Sequence, residues 1–306
     1  MSKRIVLTGA TGLIGRRLYN ALRLRGDQVT ILTRNTDKAG KTFPDAERVL
    51  LWAPGVAGAW KSAIDGADAV VHLAGEPIAE ERWTESFKKR IQDSRRLGTR
   101  DIVDAIAAAA VKPGVLVSAS AVGFYGDTGE KDVNEDSPAG SDFLAETCVE
   151  WENEALRAES LGVRVVISRM GIVLAEEGGA LEKLLTPFRM FAGGPVGNGE
   201  QWFPWVHIDD VVGLLLHAID DAETIGILNA VSPGILRNRE FAVALGESLK
   251  RPARFSVPAF VIKLALGEFG ETLLGGQRAL PAHTLASGYR FKYDSIEKAL
   301  ANLVSV

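Results

Sequence analysis

Short apolar runs alternate with amphipathic stretches along most of the chain, which is the pattern of strands and helices taking turns. Ile5, Val6 and Leu7 predict a buried strand, and Leu13, Ile14, Leu18 and Leu22 follow at helical spacing until Gly26 ends the helix. Residues 28–34 form a second strand, 49–52 a third and 69–75 a fourth. A long helical stretch over 83–110 leads to a fifth strand at 114–118, and a helix over 145–158 leads to a sixth at 164–168. Right-handed crossovers assemble such an alternation into a doubly wound parallel α/β sheet, with functional loops at the carboxyl ends of its strands. Gly75, Ser118, Ser120 and Arg169 then converge on one edge.

After Gly171 the alternation lapses. Residues 178–204 read as an amphipathic helix followed by a loop containing Gly193, Gly194, Gly197 and Gly199. A helix starts after His207, which orders the loop before it, with Asp209 or Asp210 suited to its first turn. Residues 227–231 form one more short strand, and the tail predicts two helices, over 241–249 and 261–274. The expected organisation is a Rossmann-type domain of residues 1–171 plus 206–231. A smaller, discontinuous C-terminal substrate domain of residues 172–205 plus 232–306 covers its cleft.

The junction of the first strand and helix carries the chemistry. Gly9, Gly12 and Gly15 stand in a Gly-x-x-Gly-x-x-Gly spacing with Thr11, Leu13 and Ile14 between and around them. The first glycine permits the tight turn, the second lets backbone approach a pyrophosphate, and the third lets the helix pack closely. The second strand ends at Thr33 and Arg34, and the first acid beyond it is Asp37. A dinucleotide site that prefers NAD presents an acid here to the ribose 2′-hydroxyl, whereas arginine accommodates a 2′-phosphate. Arg34, helped by the charge of Lys38 and Lys41, therefore predicts NADP(H); an arginine merely solvated at a strand end is the alternative.

Composition narrows the class. The 306 residues are 46% hydrophobic with a formal net charge of −4, enough to bury a large core and with no electrostatic footprint for nucleic acid. The basic run Lys88-Lys89-Arg90 is most simply a helix face. One cysteine, Cys148, excludes an internal disulfide, and the four histidines make no metal-ligand spacing. No apolar run reaches the roughly 20 residues needed to span a bilayer. The N-terminus enters a strand directly, so cytoplasmic placement and a small-molecule substrate are the expectation.

The chain resembles the extended short-chain dehydrogenase/reductases over nearly its whole length. The resemblance is carried by Thr8-Gly9-Ala10-Thr11-Gly12-Leu13-Ile14-Gly15, Val71-His72-Leu73-Ala74-Gly75, Leu97-Gly98-Thr99, Ser118-Ala119-Ser120 through Phe124-Tyr125-Gly126, and Val206-His207-Ile208-Asp209-Asp210. It is closer still to an atypical branch, the YfcH-like epimerase family, through Leu-Ala-Gly-Glu-Pro-Ile at 73–78, the segments 118–126 and 143–152, and Gly-Gly-Pro-Val-Gly-Asn-Gly-Glu-Gln-Trp-Phe-Pro-Trp-Val-His-Ile at 193–208. The resemblance implies NADP(H) binding with contacts from Leu73, Ala74, Gly75 and Glu76 after the fourth strand, and from Arg95 ahead of Arg90 on the following helix. Ser118, Arg169, Gly171 and Ile172 complete the implied set.

One departure matters. Catalytic members carry Tyr-x-x-x-Lys on the helix after the fifth strand, the lysine lowering the tyrosine pKa so that it exchanges a proton. No tyrosine or lysine occurs from Val133 to Gly179, where the helix offers Phe143 with Thr147 or Leu144 with Cys148; Arg95 replaces the usual asparagine before Gly98-Thr99. Tyr125 is then the nearest candidate acid, with Ser118 and Ser120 as orienting hydroxyls. A packed loop aromatic and locally satisfied serines are the alternatives. Cys148 on an apolar helix face reads as inert core, and Trp202, Phe203 and Trp205 as pocket lining or core packing. An NADP(H)-dependent oxidoreductase or epimerase acting on a small or nucleotide-linked substrate is the leading expectation, and an NADPH-sensing module without turnover the second.

Overall fold

A computed structural model describes residues 2–304. In chain order it contains β1 (Arg4–Thr8), α1 (Leu13–Leu24), β2 (Gln28–Thr33), α2 (Thr36–Thr42), β3 (Arg48–Leu51), β4 (Ala69–His72), α3 (Glu85–Ala108), β5 (Val115–Ala121), β6 (Asp132–Val133), α4 (Phe143–Leu156) and β7 (Arg164–Met170). There follow β8 (Ile172–Leu174), α5 (Gly179–Arg189), β9 (Trp205–His207), α6 (Ile208–Asp220), β10 (Gly226–Ala230), α7 (Asn238–Leu249), α8 (Ala259–Leu266), α9 (Glu268–Thr272), β11 (Arg278–Ala279), α10 (Ala282–Ala286) and α11 (Ile296–Leu303). The central sheet has the order β3-β2-β1-β4-β5-β7-β10 and is parallel throughout. Its order reverses between β1 and β4, so a crevice opens there at the strands' carboxyl ends.

Alternate strand residues feed two separate cores. Ile5, Leu7, Val115 and Val117 pack with Leu18 and Leu22 of α1 and with Val211, Leu214 and Leu215 of α6. Val6, Val70, Leu116 and Val165 point the other way, onto Ile102, Val103 and Ile106 of α3 and onto Trp60. Period-two alternation inside runs that are apolar throughout is what a sheet covered on both faces requires. A third core joins Leu181, Leu185 and Phe188 of α5 to Phe241 and Leu245 of α7 and to Leu300 and Leu303 of α11. No helix among the described residues is long and apolar enough to cross a membrane.

Several expected boundaries shift. The fifth and sixth strands run further, to Ala121 and Met170, because paired β5 and β7 remain in register to those residues. The tail helix over 261–274 is two helices, α8 and α9, since Gly267 adopts φ +61° between them. α11 escaped the reading although Ser295 caps it, its side chain accepting from the Lys298 amide.

Candidate functional site

The turn after β1 is built by backbone contact. Gly9 has φ +71°, and a Cβ there would lie 2.8 Å from the Leu73 carbonyl carbon. A Cβ on Gly15 would meet the Gly9 carbonyl oxygen at 2.2 Å, so only glycine lets α1 start this close to the turn. Gly12 is the N-cap of α1, which has neither a side-chain cap nor an acid in its first turn. Its leading N–H groups and dipole are thus left for an anionic ligand. Leu13 reaches across to Gly178 and Gly179 at the start of α5, and Ile14 packs against both neighbouring cores. Thr11 accepts from Arg16 Nε through its carbonyl.

Thr8 and His72 hold the two lips of the crevice together. Thr8 Oγ1 accepts from the amides of Leu73 and Ala74, both at 3.1 Å, and lies 2.8 Å from His72 Nδ1. With its lone pairs engaged, the hydroxyl donates to Nδ1, which places the imidazole proton on Nε2. His72 is fully buried, and burial pulls its pKa down to about 4. Both stand in the segments that carry the resemblance, but neither was given a role from the sequence; the signal was a threonine closing an apolar strand beside the glycine motif.

Arg34 and Glu76 face each other over the turn. Arg34 leaves the end of β2 largely exposed, and its Nη1 stands 3.4 Å from Glu76 Oε2. Thr33 Oγ1 accepts from the Asn35 amide, and Asn35 caps α2. The Glu76 carboxylate thus engages Arg34, while Arg95 Nη1 donates to the Glu76 carbonyl oxygen at 3.0 Å. Arg90, by contrast, pairs with Glu81 and lies on the Phe87 ring.

Across the sheet, α4 takes the register of Leu144 and Cys148 towards the ends of the strands. Cys148 Sγ lies 3.7 Å from the Ala121 carbonyl oxygen, and Leu144 packs on Gly123 and in an apolar cluster with Trp83 and Phe87. The Cys148 thiol is pushed up to about 11 by burial, with Glu152 adding to the shift. It is therefore a protonated core thiol at neutral pH.

Tyr125 corrects the expectation of an acid facing the crevice. The ring is buried, and its hydroxyl donates to Asn229 Oδ1 at 2.8 Å and accepts from Arg169 Nη1 at 3.0 Å. Burial raises the phenol's pKa further, with Arg169 opposing. Ser120 donates to Glu152 Oε1 at 2.6 Å, whereas Ser118 reaches only the Ala119 carbonyl at 3.3 Å. Arg169 is likewise consumed. It forms a forked pair with Glu152 through Nε at 2.8 Å and Nη2 at 2.7 Å, both side chains being buried, and its guanidinium lies on the Phe124 ring at 3.4 Å. An arginine inside an apolar strand was itself the signal that a buried carboxylate must answer it.

The exit from β7 is also governed by packing. A Cβ on Gly171 would lie 2.2 Å from the Pro204 carbonyl oxygen, which also accepts from the Ile172 amide as β8 pairs with β9. Phe203 stacks on Phe241 and Trp205 donates to the Gly234 carbonyl, so both are core; the guanidiniums of Arg237 and Arg278 both lie against the Trp202 ring, at 4.3 and 4.7 Å from its centre.

Residues 5–230 match the model of the NAD dependent epimerase/dehydratase family, and residues 257–303 match a domain of unknown function, DUF1731. "Epimerase family protein SDR39U1 homolog, chloroplastic" of Arabidopsis thaliana is 43% identical over 302 residues, covering 97% of this chain and 85% of its own. Epimerase family protein YfhF of Bacillus subtilis is 36% identical, with 98% of each chain covered. The crystal structure of human epimerase family protein SDR39U1 (isoform2) with NADPH superimposes with a TM-score of 0.87 at 35% identity, covering 98% of both chains. A structure of the nucleoside-diphosphate sugar epimerase from Corynebacterium glutamicum gives 0.80 at 33% identity, covering 98% of this chain and 58% of that one. On the extent of these matches, the chain belongs to the NAD dependent epimerase/dehydratase family.

Proposed function

We propose that this chain binds NADP(H) in the crevice between β1 and β4 and serves an oxidoreductase or epimerase reaction on a small or nucleotide-linked substrate. Arg34 carries the reading. It is the charged side chain at the end of β2, where a carboxylate would repel a 2′-phosphate, and it is largely exposed and held only by one long contact to Glu76. The uncapped start of α1 at Gly12 suits the pyrophosphate, and the forced glycine at 15 lets the helix begin close against the turn. The solved human relative carries NADPH, which favours the same cofactor here. When bound, the nicotinamide supplies or accepts hydride. The residues of the chain bind and orient it: Arg34 at the adenosine end, the α1 amides at the phosphates, and Gly75 with Arg95 further along.

The nucleotide-linked substrate rests on the likeness to the Corynebacterium glutamicum epimerase. Residues 172–205 plus 232–306 are proposed to receive it, and residues 1–171 plus 206–231 to hold the cofactor. A second reading, NADPH sensing without turnover, is favoured by one observation: α4 presents Leu144 and Cys148 where a proton-exchanging pair would stand.

Calorimetric titration tests the cofactor assignment. NADPH is expected to bind more tightly than NADH, and Arg34→Asp to reverse that order; equal affinities in the unmodified protein would defeat it. Following dihydronicotinamide absorbance against a panel of carbonyls and sugar nucleotides separates the two readings. Cofactor consumption favours the enzyme, and tight binding without consumption favours the sensor.

A further inference from the structure

One face of the C-terminal part is apolar and basic at once. Phe191, Phe255 and Phe260 are the exposed phenylalanines among the described residues, and Met190 and Leu264 stand out next to Phe191 and one turn after Phe260. α8 buries none of its side chains, and Phe260 and Leu264, which share one face of it, are 70% and 74% exposed. Two segments distant in sequence meet to make this surface. The Phe255 amide donates to the Gly193 carbonyl at 3.1 Å, the Val257 amide to that of Pro195 at 3.0 Å, and the Arg251 guanidinium lies 4.4 Å from the centre of the Phe191 ring.

Charge is segregated in the same two segments. Residues 183–199 and 248–267 contain Lys183, Arg189, Lys250, Arg251, Arg254 and Lys263 and not one aspartate or glutamate, in a chain whose net charge is −4. Of these cations only Lys263 forms an ion pair among the described residues, with Glu271 at 3.1 Å. The backbone supports the display. Phe191 holds φ +61°, a conformation that disfavours bulky side chains, yet its ring is more than half exposed, so burial does not compensate the strain.

Projecting rings among unpaired cations suit one class of partner. A soft apolar layer beneath a sheet of phosphates receives such rings without shaped pockets, and it attracts lysine and arginine while repelling carboxylates. An acidic protein would supply the charge but would also need a fitted cavity for each ring.

We propose that this face docks on the surface of an anionic phospholipid bilayer. Phe191, Phe255, Phe260 and Leu264 enter the boundary between headgroups and acyl chains, and Arg189, Lys250 and Arg254 lie against the phosphates. The inference does not depend on the NADP(H) reading, whose residues lie in the crevice.

Sedimentation of the full chain with vesicles tests it. Vesicles of phosphatidylcholine mixed with phosphatidylserine are expected to carry the protein down at low salt, with binding falling as salt is raised, and phosphatidylcholine alone to retain little. Phe260→Ser with Leu264→Ser should weaken binding by about tenfold or more, and Arg189→Gln with Arg254→Gln by about fivefold for each cation removed. All four side chains are exposed, so the melting midpoints of both variants should match that of the parent. If the first pair disturbs folding, the second carries the comparison. Failure to bind phosphatidylserine vesicles, equal binding to both lipids, or binding that neither pair weakens overturns the proposal. So does a dimer in sedimentation velocity that Phe260→Ser with Leu264→Ser abolishes, because the face is then a contact between two copies of the chain.

Discussion

At the scale of single residues, the crevice depends on one neutral imidazole. His72 accepts from Thr8 while Thr8 accepts from the two amides that follow β4, so a charge on the ring would turn an acceptor into a second donor facing a hydroxyl. Burial keeps the folded pKa at about 4, below the unfolded value near 6.5. Because the unfolded chain binds the proton more readily, the contribution is fully present above pH 6.5 and is lost as pH falls from there through about 4. Each pKa unit is worth about 1.4 kcal/mol, so the loss is of the order of 3 kcal/mol. Denaturant unfolding at a series of pH values should show it, and His72→Asn, whose amide oxygen can still accept from Thr8, should flatten that limb. An unchanged slope in the variant would assign the acid sensitivity to other groups.

At the scale of elements, α4 is fixed by polar contacts at its middle. Asp142 caps it, Glu152 ties it to Ser120 on β5 and to Arg169 on β7, and Cys148 and Leu144 turn towards the strand ends. Removing one partner of a buried forked pair leaves the other charge uncompensated, which typically costs about 3–5 kcal/mol. Glu152→Ala should therefore lower the urea midpoint strongly, and a shift below about 1 kcal/mol would show the pair to be dispensable. This helix also shows what the sequence made legible. The missing Tyr-x-x-x-Lys could be read directly, because an absence of residue types needs no geometry. The burial of Tyr125 could not, because its partner Asn229 lies 104 residues along the chain and is brought to it only by the order of strands in the sheet. Glu152, by contrast, on the helix that leads into β7, answers the signal that Arg169 gave inside an apolar strand. The tight turn at the glycines was legible for the opposite reason, since Gly12 and Gly15 approach Gly9 within the same turn. The split of the tail at Gly267 and the cap at Ser295 had local signals, a glycine and a serine, hidden in a stretch where weak periodicity dominated.

At the scale of the whole molecule, the chain leaves the sheet after β7 and comes back as β10, so neither part is finished without the other. β10 pairs with β7 along its whole length, and α6 covers Leu18 and Leu22 of α1. The dependence runs both ways. Asp210 of α6, buried, accepts from the amides of Lys292 and Tyr293 and from the Tyr289 hydroxyl, while Tyr125 finds its acceptor on β10 and Glu135 accepts from Thr284 of α10. A chain cut after Gly171 would expose one apolar face of α1 and of the sheet, leave β7 as an edge and strand the Arg169 network without Asn229. Uncovered apolar faces and unpaired strand edges favour association over folding. The fragment 1–171 is therefore expected to aggregate or to unfold without a cooperative transition, and to lose NADPH affinity although every proposed cofactor contact except Ile172 lies within it. The fragment 1–231 restores β10 and α6 but leaves the buried Asp210 carboxylate without its three donors. It should fold with a much lower midpoint than the full chain. A soluble 1–171 fragment that melts cooperatively and binds NADPH as the full chain does would overturn this interdependence.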